Sequence, residues 1–284
     1  MSCNNAISDF DLDQRPDNPH ETLSVQNYYY AGFAAGEMTC SIIRATNYNP
    51  KGHYYYAVDF TVSNADKNLL EQVNTVMMQG RGVISPIKGG YNCKSRGKNN
   101  VRIVLDFLRN YPILAGDLAK NRVVLLEQAL EYLTQHRGRY ARESKTKEME
   151  RIRKALRDVK TKGIVEQTFP IESNNHEAVG YFLSGVLDGE GSFGFKRCND
   201  QHEPFIAMAM KDRKVVELLR NFVQHGNVRL RKDGASHLEI NQKAAVTRIC
   251  DLFLYTYPLK HTRQRQRLME VQRILNDHTL RLAS

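Results

Sequence analysis

Two stretches of the sequence place an acid directly after a pair of glycines spaced four apart. Gly32 and Gly36 precede Glu37, and Gly185 and Gly189 precede Glu190. The surrounding segments, YYYAGFAAGEMTCSII from Tyr28 and YFLSGVLDGEGSFGFK from Tyr181, open as apolar helices. Both would carry penalties as isolated helices. An interior glycine costs about 1 kcal/mol relative to alanine, and a carboxylate at a helix C-terminus meets the negative end of the dipole. Glycines four apart become useful where two helix backbones must touch, because they leave a flat strip on one face. Ala31, Ala34, Ala35 and Ser184 keep that strip narrow. The two helices are therefore expected to pack on each other, bringing Glu37 and Glu190 together at one end of the joint. Carboxylates so placed repel, and a hard divalent cation with a preference for oxygen relieves the repulsion. Mg²⁺ keeps several waters and takes one or two carboxylates plus phosphate oxygens. Such a site can clamp the attacking and leaving oxygens of a phosphodiester displacement. A pseudo-twofold axis supplies two of these positions, one for each strand of a duplex. The plainer alternative is two unrelated surface glutamates, which leaves their identical offset from the glycine pairs unexplained.

The elements that must position these acids are also duplicated. FTVSNADKNLLEQVNTVMMQGRGVI matches IAMAMKDRKVVELLRNFVQHGNVRL, and NNVRIVLDFLRNYPI matches KAAVTRICDLFLYTYPL, in the same order and with Pro112 falling on Pro258. A repeat on this scale indicates two related halves. The division is a polar tail at 1–27, a first half at 28–136, a basic linker at 137–178 and a second half at 179–284. Each half reads as helix, two strands, helix, two strands, then helices. Alternation in HYYYAVDFTVS puts Tyr54, Tyr56, Val58, Phe60 and Val62 inward, with Tyr55, Asp59, Thr61 and Ser63 outward. In the second half Phe193, Phe195, Val228, Leu230, Leu238 and Ile240 read inward. Ser192, Lys196, Arg229, Arg231, Glu239 and Asn241 read outward. Apolar in and polar out describes antiparallel sheets packed on one face and free on the other. Met38 replaces the glycine found at position 191. A left-handed residue after the helix would make methionine costlier there by roughly 1 kcal/mol. The linker, RGRYARESKTKEMERIRKALRDVKTKG, reads either as a solvated helix or as a phosphate-contacting one.

Composition agrees with an anionic partner. The 284 residues carry a formal net charge of +10, which favours nucleic acid or another acidic surface. Five cysteines are scattered, odd in number and never arranged as C-x-x-C, so they read as reduced, mostly buried thiols. No apolar run approaches the length of a membrane span, and the polar, acidic N-terminal stretch is neither a signal nor a transit peptide. The compartment stays open between an organelle and a bacterial cytoplasm.

The segment LSGVLDGEG, Leu183 to Gly191, resembles the signature of the LAGLIDADG homing endonucleases in their double-motif, single-chain form. YAGFAAGEM, Tyr30 to Met38, resembles a degenerate first copy, with Ala35 standing where the second motif has Asp188. The resemblance implies an α/β (α+β) fold of two pseudo-symmetric αββαββα halves, with saddle-shaped antiparallel sheets over the DNA major groove. It implies a monomer that cuts double-stranded DNA at a long asymmetric site. It also implies Mg²⁺, two or more ions, held by Glu37 and Glu190. Family members are usually encoded within introns or inteins, and an intron suits this chain better. They usually carry a lysine near the metal, for which Lys120 and either Arg263 or Lys260 are the nearest candidates. On this reading Lys196, Arg229, Arg231, Glu239, Asn241, Tyr55 and Thr61 would meet bases, and the remaining cations would meet phosphate. The rival is an RNA maturase, or another non-cleaving binder on the same scaffold, holding intron RNA. A scaffolding role in an organellar ribonucleoprotein is a third reading, and it gives no reason to keep both acids.

Overall fold

The computed structural model describes residues 25–46, 54–136, 143–198 and 201–283. Most of the tail read at 1–27 therefore lies outside the described residues. The first half runs α1 (Tyr28–Glu37), β1 (Met38–Thr46), β2 (Tyr54–Asn64), α2 (Lys67–Met77), β3 (Val83–Ile87), β4 (Gly90–Arg96), α3 (Lys98–Asn110) and α4 (Asp117–Gln135). After α5 (Glu143–Lys162) the second half repeats the order: α6 (His176–Glu190), β5 (Gly191–Cys198), β6 (Gln201–Met210), α7 (Arg213–Val223), β7 (Asn227–Leu230), β8 (Ser236–Ile240), α8 (Lys243–Asp251) and α9 (Thr262–Ala283). A short π-helical turn, Leu252–Thr256, joins α8 to α9. Both sheets are antiparallel, in the strand orders β1-β2-β4-β3 and β5-β6-β8-β7. The expected architecture of two pseudo-symmetric halves is the one observed.

Helices α1 and α6 are apolar on all sides. Residues 29–35 are all buried, and so are 178–188 apart from the half-buried Tyr181, as suits helices at the centre of a molecule. The flanking helices are ordinary amphipaths. In α7, Val215, Val216, Leu218, Leu219 and Val223 are buried, and α2 buries Leu69, Leu70, Val73 and Met77 against its sheet. Asp66 caps α2 by accepting from Leu69 N at 3.2 Å, and Asn175 caps α6 by accepting from Ala178 N at 3.0 Å. Cys40, Cys93 and Cys250 are buried free thiols, as expected.

The linker helix is not simply solvated. Helix α5 buries Met149, Ile152, Leu156 and Val159. Its Glu150 accepts from the Tyr56 hydroxyl at 2.8 Å and lies 3.7 Å from Arg44. The next segment is stitched to α4. Buried Asn121 accepts from Glu166 N and Gln167 N at 3.0 and 3.1 Å and donates to Gln167 O at 2.7 Å, while Asp117 accepts from Phe169 N at 2.8 Å. One apolar face at helical spacing made α5 part of the first half's core, and its basic residues occupy the other faces.

Two orientations within the sheets also differ from the alternation. Asp59 and Thr61 are buried, at 2% and 8% exposure, although they point away from the core. Arg96 of β4 lies across Asp59 (Nε to Oδ2, 3.0 Å), and the Thr61 hydroxyl donates to Asp59 at 2.8 Å. Leu230, expected inward, is 75% exposed at the end of a four-residue strand.

Candidate active site

The glycine strips do what their spacing demands. A Cβ placed on Gly32 would lie 1.8 Å from the carbonyl oxygen of Phe182, and one on Gly185 would lie 1.9 Å from that of Tyr29. Helices α1 and α6 therefore cross backbone to backbone. The second glycine of each pair has a different neighbour. A Cβ on Gly36 would meet Glu190 Cγ at 3.2 Å, and one on Gly189 would meet Glu37 Cγ at 3.2 Å. Each acid thus folds over the glycine preceding the other, and the two carboxylates share one end of the crossing. Asn64 Nδ2 donates to Glu37 Oε1 at 3.1 Å.

The electrostatics of the pair follow from that geometry. The Glu37 carboxyl is pushed up to about 7, first by burial and then by the charge of Glu190, against the hydrogen bond from Asn64. Glu190 is also raised by burial, with the Arg122 guanidinium pulling it back. Two half-buried carboxylates held together in this way are short of positive charge. Their hard oxygens fit a divalent cation such as Mg²⁺, and two protein ligands leave room for water and phosphate oxygens. Among the described residues there is no group of three or more His, Cys, Asp or Glu able to hold a metal, so phosphate and solvent must complete any such site.

The departures in the first motif have structural explanations. Met38 and Gly191 both adopt extended backbone, φ −76° with ψ 146° and 151°. Neither is left-handed, so the expected penalty for methionine does not arise, and Met38 is simply buried in the core. The Asp188 carboxylate is a cap. It accepts from Tyr29 OH at 2.5 Å, Lys260 N at 2.6 Å and His261 N at 2.9 Å, and burial still raises its pKa despite these bonds. It holds the start of α9, where Asp66 of the first half also accepts from Thr262 N at 2.8 Å. At the start of α4 the whole task falls on Asp212 of the second half. It accepts from Asp117 N (2.9 Å), Leu118 N (2.8 Å) and Ala119 N (3.3 Å). Gly116 permits that approach. Its φ is +116°, and a Cβ there would sit 2.7 Å from Asp212 Oδ2. With α4 capped from across the joint, Ala35 has no cap to supply.

The cation expected beside the acids is not Lys120. Its ammonium is paired with Glu172 at 2.6 Å, lies over the Phe169 ring and is buried against the linker segment. Position 120 points away from the joint, and the residue two further along α4 points towards it. Arg122 Nη1 donates to Met38 O at 3.2 Å, and its charge acts on Glu190. Sequence reasoning missed Arg122, and the α4 periodicity could have offered it, since residues 120 and 122 fall on opposed faces. Arg263 is exposed in the first turn of α9, next to Gln264, whose amide donates to Gly191 O at 2.8 Å. Lys260 is held by two tyrosines, donating to Tyr30 OH at 3.0 Å with its ammonium over both the Tyr29 and Tyr30 rings.

Residues 183–268 match the family model described as LAGLIDADG endonuclease. The second half of the chain is thus similar to the LAGLIDADG endonuclease family. No curated protein matches the chain. Solved structures share its fold over nearly the whole length. I-SmaMI, described as bound to an uncleaved DNA target in the presence of calcium ions, is 16% identical with a TM-score of 0.74, over 90% of this chain and 92% of that one. The LAGLIDADG homing endonuclease I-GzeII in complex with a DNA target is 17% identical with a TM-score of 0.72, over 90% and 91%. I-LtrWI bound to target DNA is 15% identical with a TM-score of 0.74, over 91% and 92%.

In this LAGLIDADG fold a cleft of about 400 Å³ leads from Glu190 onto the free face of the second sheet, past Ser192, Lys196, Arg231, His237 and Glu239. The side chains expected to face a ligand there form a network. Glu239 accepts from Lys196 at 2.6 Å and from Arg229 at 3.2 Å, and Arg229 Nε also donates to His237 Nδ1 at 3.2 Å. The Asn241 amide, oriented to fit its neighbours, accepts from Lys196 at 2.8 Å and donates to Glu239 at 3.1 Å. Arg231 pairs with Asp233 at 3.0 Å. On the first sheet Tyr55 is exposed, whereas Thr61 is buried with its hydroxyl committed to Asp59. Thr61 is thus withdrawn from the free face, and the cross-strand neighbours Lys94 and Arg96 of β4 occupy it instead. These two were legible in GYNCKSR as outward alternates of Cys93 and Ser95.

Proposed function

We propose that this protein is a site-specific double-stranded DNA endonuclease of the homing type, monomeric and intron-encoded. The observation that carries the reading is the pair Glu37 and Glu190. They are brought together by reciprocal glycine contacts at the end of two crossed helices, between two sheets whose free faces carry cations. A random placement of two surface acids has no reason to bury both and let each pack over the other's glycine. Glu37 and Glu190 would hold Mg²⁺, whose chemistry is to activate a water and neutralise charge on the scissile phosphate. Arg122 would offset negative charge near Glu190, and Asn64 would orient the Glu37 carboxylate. Lys196, Arg229, Arg231, Glu239, Asn241 and Tyr55, joined by Lys94 and Arg96, would face base edges and phosphates, with arginine suited to guanine and asparagine to adenine. The RNA-maturase alternative drew on the degenerate first motif and the basic linker. The cap supplied by Asp212 and the buried face of α5 account for those two features without it.

The test is direct. Purified protein with Mg²⁺ and a supercoiled plasmid carrying the intron-less insertion site should yield a double-strand break. Glu190→Gln should abolish it while leaving binding to the same site intact. Binding to intron RNA, with no cutting under any divalent metal, would overturn the reading in favour of the maturase.

A further inference from the structure

The two acids make reciprocal, pseudo-twofold contacts, but the cations around them do not match. A cavity of about 280 Å³ opens beside Glu190, lined by Gly36, Arg122, Lys160, Lys211 and Asp212 among others. Three cations from three different elements converge on it: Arg122 from α4, Lys160 from the last turn of α5, and Lys211 from the turn between β6 and α7. Lys160 and Lys211 are exposed and have no ion pair among the described residues. The Arg122 Nε is buried without a hydrogen-bond partner, so one donor of that guanidinium is still to be satisfied.

The corresponding positions beside Glu37 are neutral. Arg122 bonds the carbonyl of the residue after Glu37, and the side chain bonding the carbonyl after Glu190 is Gln264. Lys211, the residue after strand β6, corresponds to Ala65 after β2. Lys160 belongs to the linker, which occurs once. Arg263 and Arg265 flank Gln264 in the chain; both are exposed, and neither is among the groups acting on the Glu37 carboxyl. Local negative charge does not cancel the excess at the cavity. Asp212 is committed to three α4 amides, and Glu190 is the acid a cation would already engage.

We propose that Arg122, Lys160 and Lys211 form a phosphate seat beside Glu190 with no equal beside Glu37, so that one strand of a DNA duplex is held and cut ahead of the other. This rests on the nuclease reading for the cutting and on charge alone for the holding. Each phosphate neutralised releases counterions, giving a slope of about −0.9 in log K against log salt.

The experiment has two arms. In EDTA, a non-specific 30-base-pair duplex is titrated across a range of salt with wild type and with Lys160→Gln/Lys211→Gln. Loss of two contacts should flatten the slope by about 1.8. A charge-matched control, Lys67→Gln/Arg220→Gln on helices behind the sheets, should leave it unchanged. A slope unaffected in the seat variant, or equally affected in the control, overturns the seat. In the second arm the insertion-site plasmid is cut with Mg²⁺ and each strand is followed by an end label. Wild type should accumulate nicked circle, with one strand cut at least several-fold faster. Adding Arg122→Gln to the seat variant should slow that strand selectively. Equal strand rates in wild type overturn the asymmetry. Absence of any cutting tells against the nuclease reading, and the salt slope then decides the seat by itself.

Discussion

Replacing Gly32 with alanine isolates the contact on which the joint depends. The new methyl carbon would stand 1.8 Å from the Phe182 carbonyl oxygen, and relief to even 3.0 Å means moving one backbone by 1.2 Å. No side-chain rotation helps, because both partners are main chain. The shift would loosen Tyr29, Phe33 and Phe182, which are fully buried around the crossing. Overpacking a core typically costs 1–3 kcal/mol, and a backbone clash belongs at or above the upper end. Alanine returns about 1 kcal/mol of helix propensity, so the net loss should be about 2 kcal/mol or more. Gly36→Ala, one turn later, is the internal comparison. Its methyl meets only the flexible Glu190 side chain at 3.2 Å, so stability should stay within about 1 kcal/mol of wild type while the carboxylate is displaced. Urea unfolding followed by far-ultraviolet circular dichroism measures both, at constant slope. If Gly32→Ala proves as stable as Gly36→Ala, the helices do not touch as described.

Three further outcomes follow from the same contacts. The Glu37 carboxyl rises from an ordinary 4.5 to about 7 in the fold, so the native state holds a proton there that the unfolded chain releases. Its contribution is whole below pH 4.5 and is lost as pH rises through 7; in EDTA, stability should fall by about 2 kcal/mol over that window, allowing for partial exposure. Glu37→Gln should remove that fall, and a wild-type profile that is flat or rising would refute the assignment. Asp212→Ala should cost about 2 kcal/mol by leaving three α4 amides uncapped, read as a lowered unfolding midpoint, whereas an unchanged midpoint would show that water caps α4 equally well. Lys120→Gln should cost less than about 1 kcal/mol, since its partner Glu172 is largely exposed. It should leave DNA cutting unchanged, and a loss of cutting with the fold intact would return Lys120 to the site.

Several features of this protein are decided by local chemistry and so are visible in the bare chain. Glycines four apart between apolar residues favour close helix contact, and a repeated offset to Glu37 and Glu190 then places the acids together. Period-two alternation marked most of both sheets, and the net charge of +10 pointed to an anionic partner. What the chain alone could not decide depends on contacts between segments far apart in sequence. Asp59 and Thr61 carry an outward pattern and are buried because Arg96 arrives from another strand. Ala35 looked like a loss until Asp212 was seen to cap α4 from the opposite half. Lys120 and Arg122 are both cations near the start of one helix. Only the packing of α4 between the linker and α1 turns the first towards Glu172 and the second towards Glu190, because a helix sets the angle between its side chains while its neighbours choose which one faces the site.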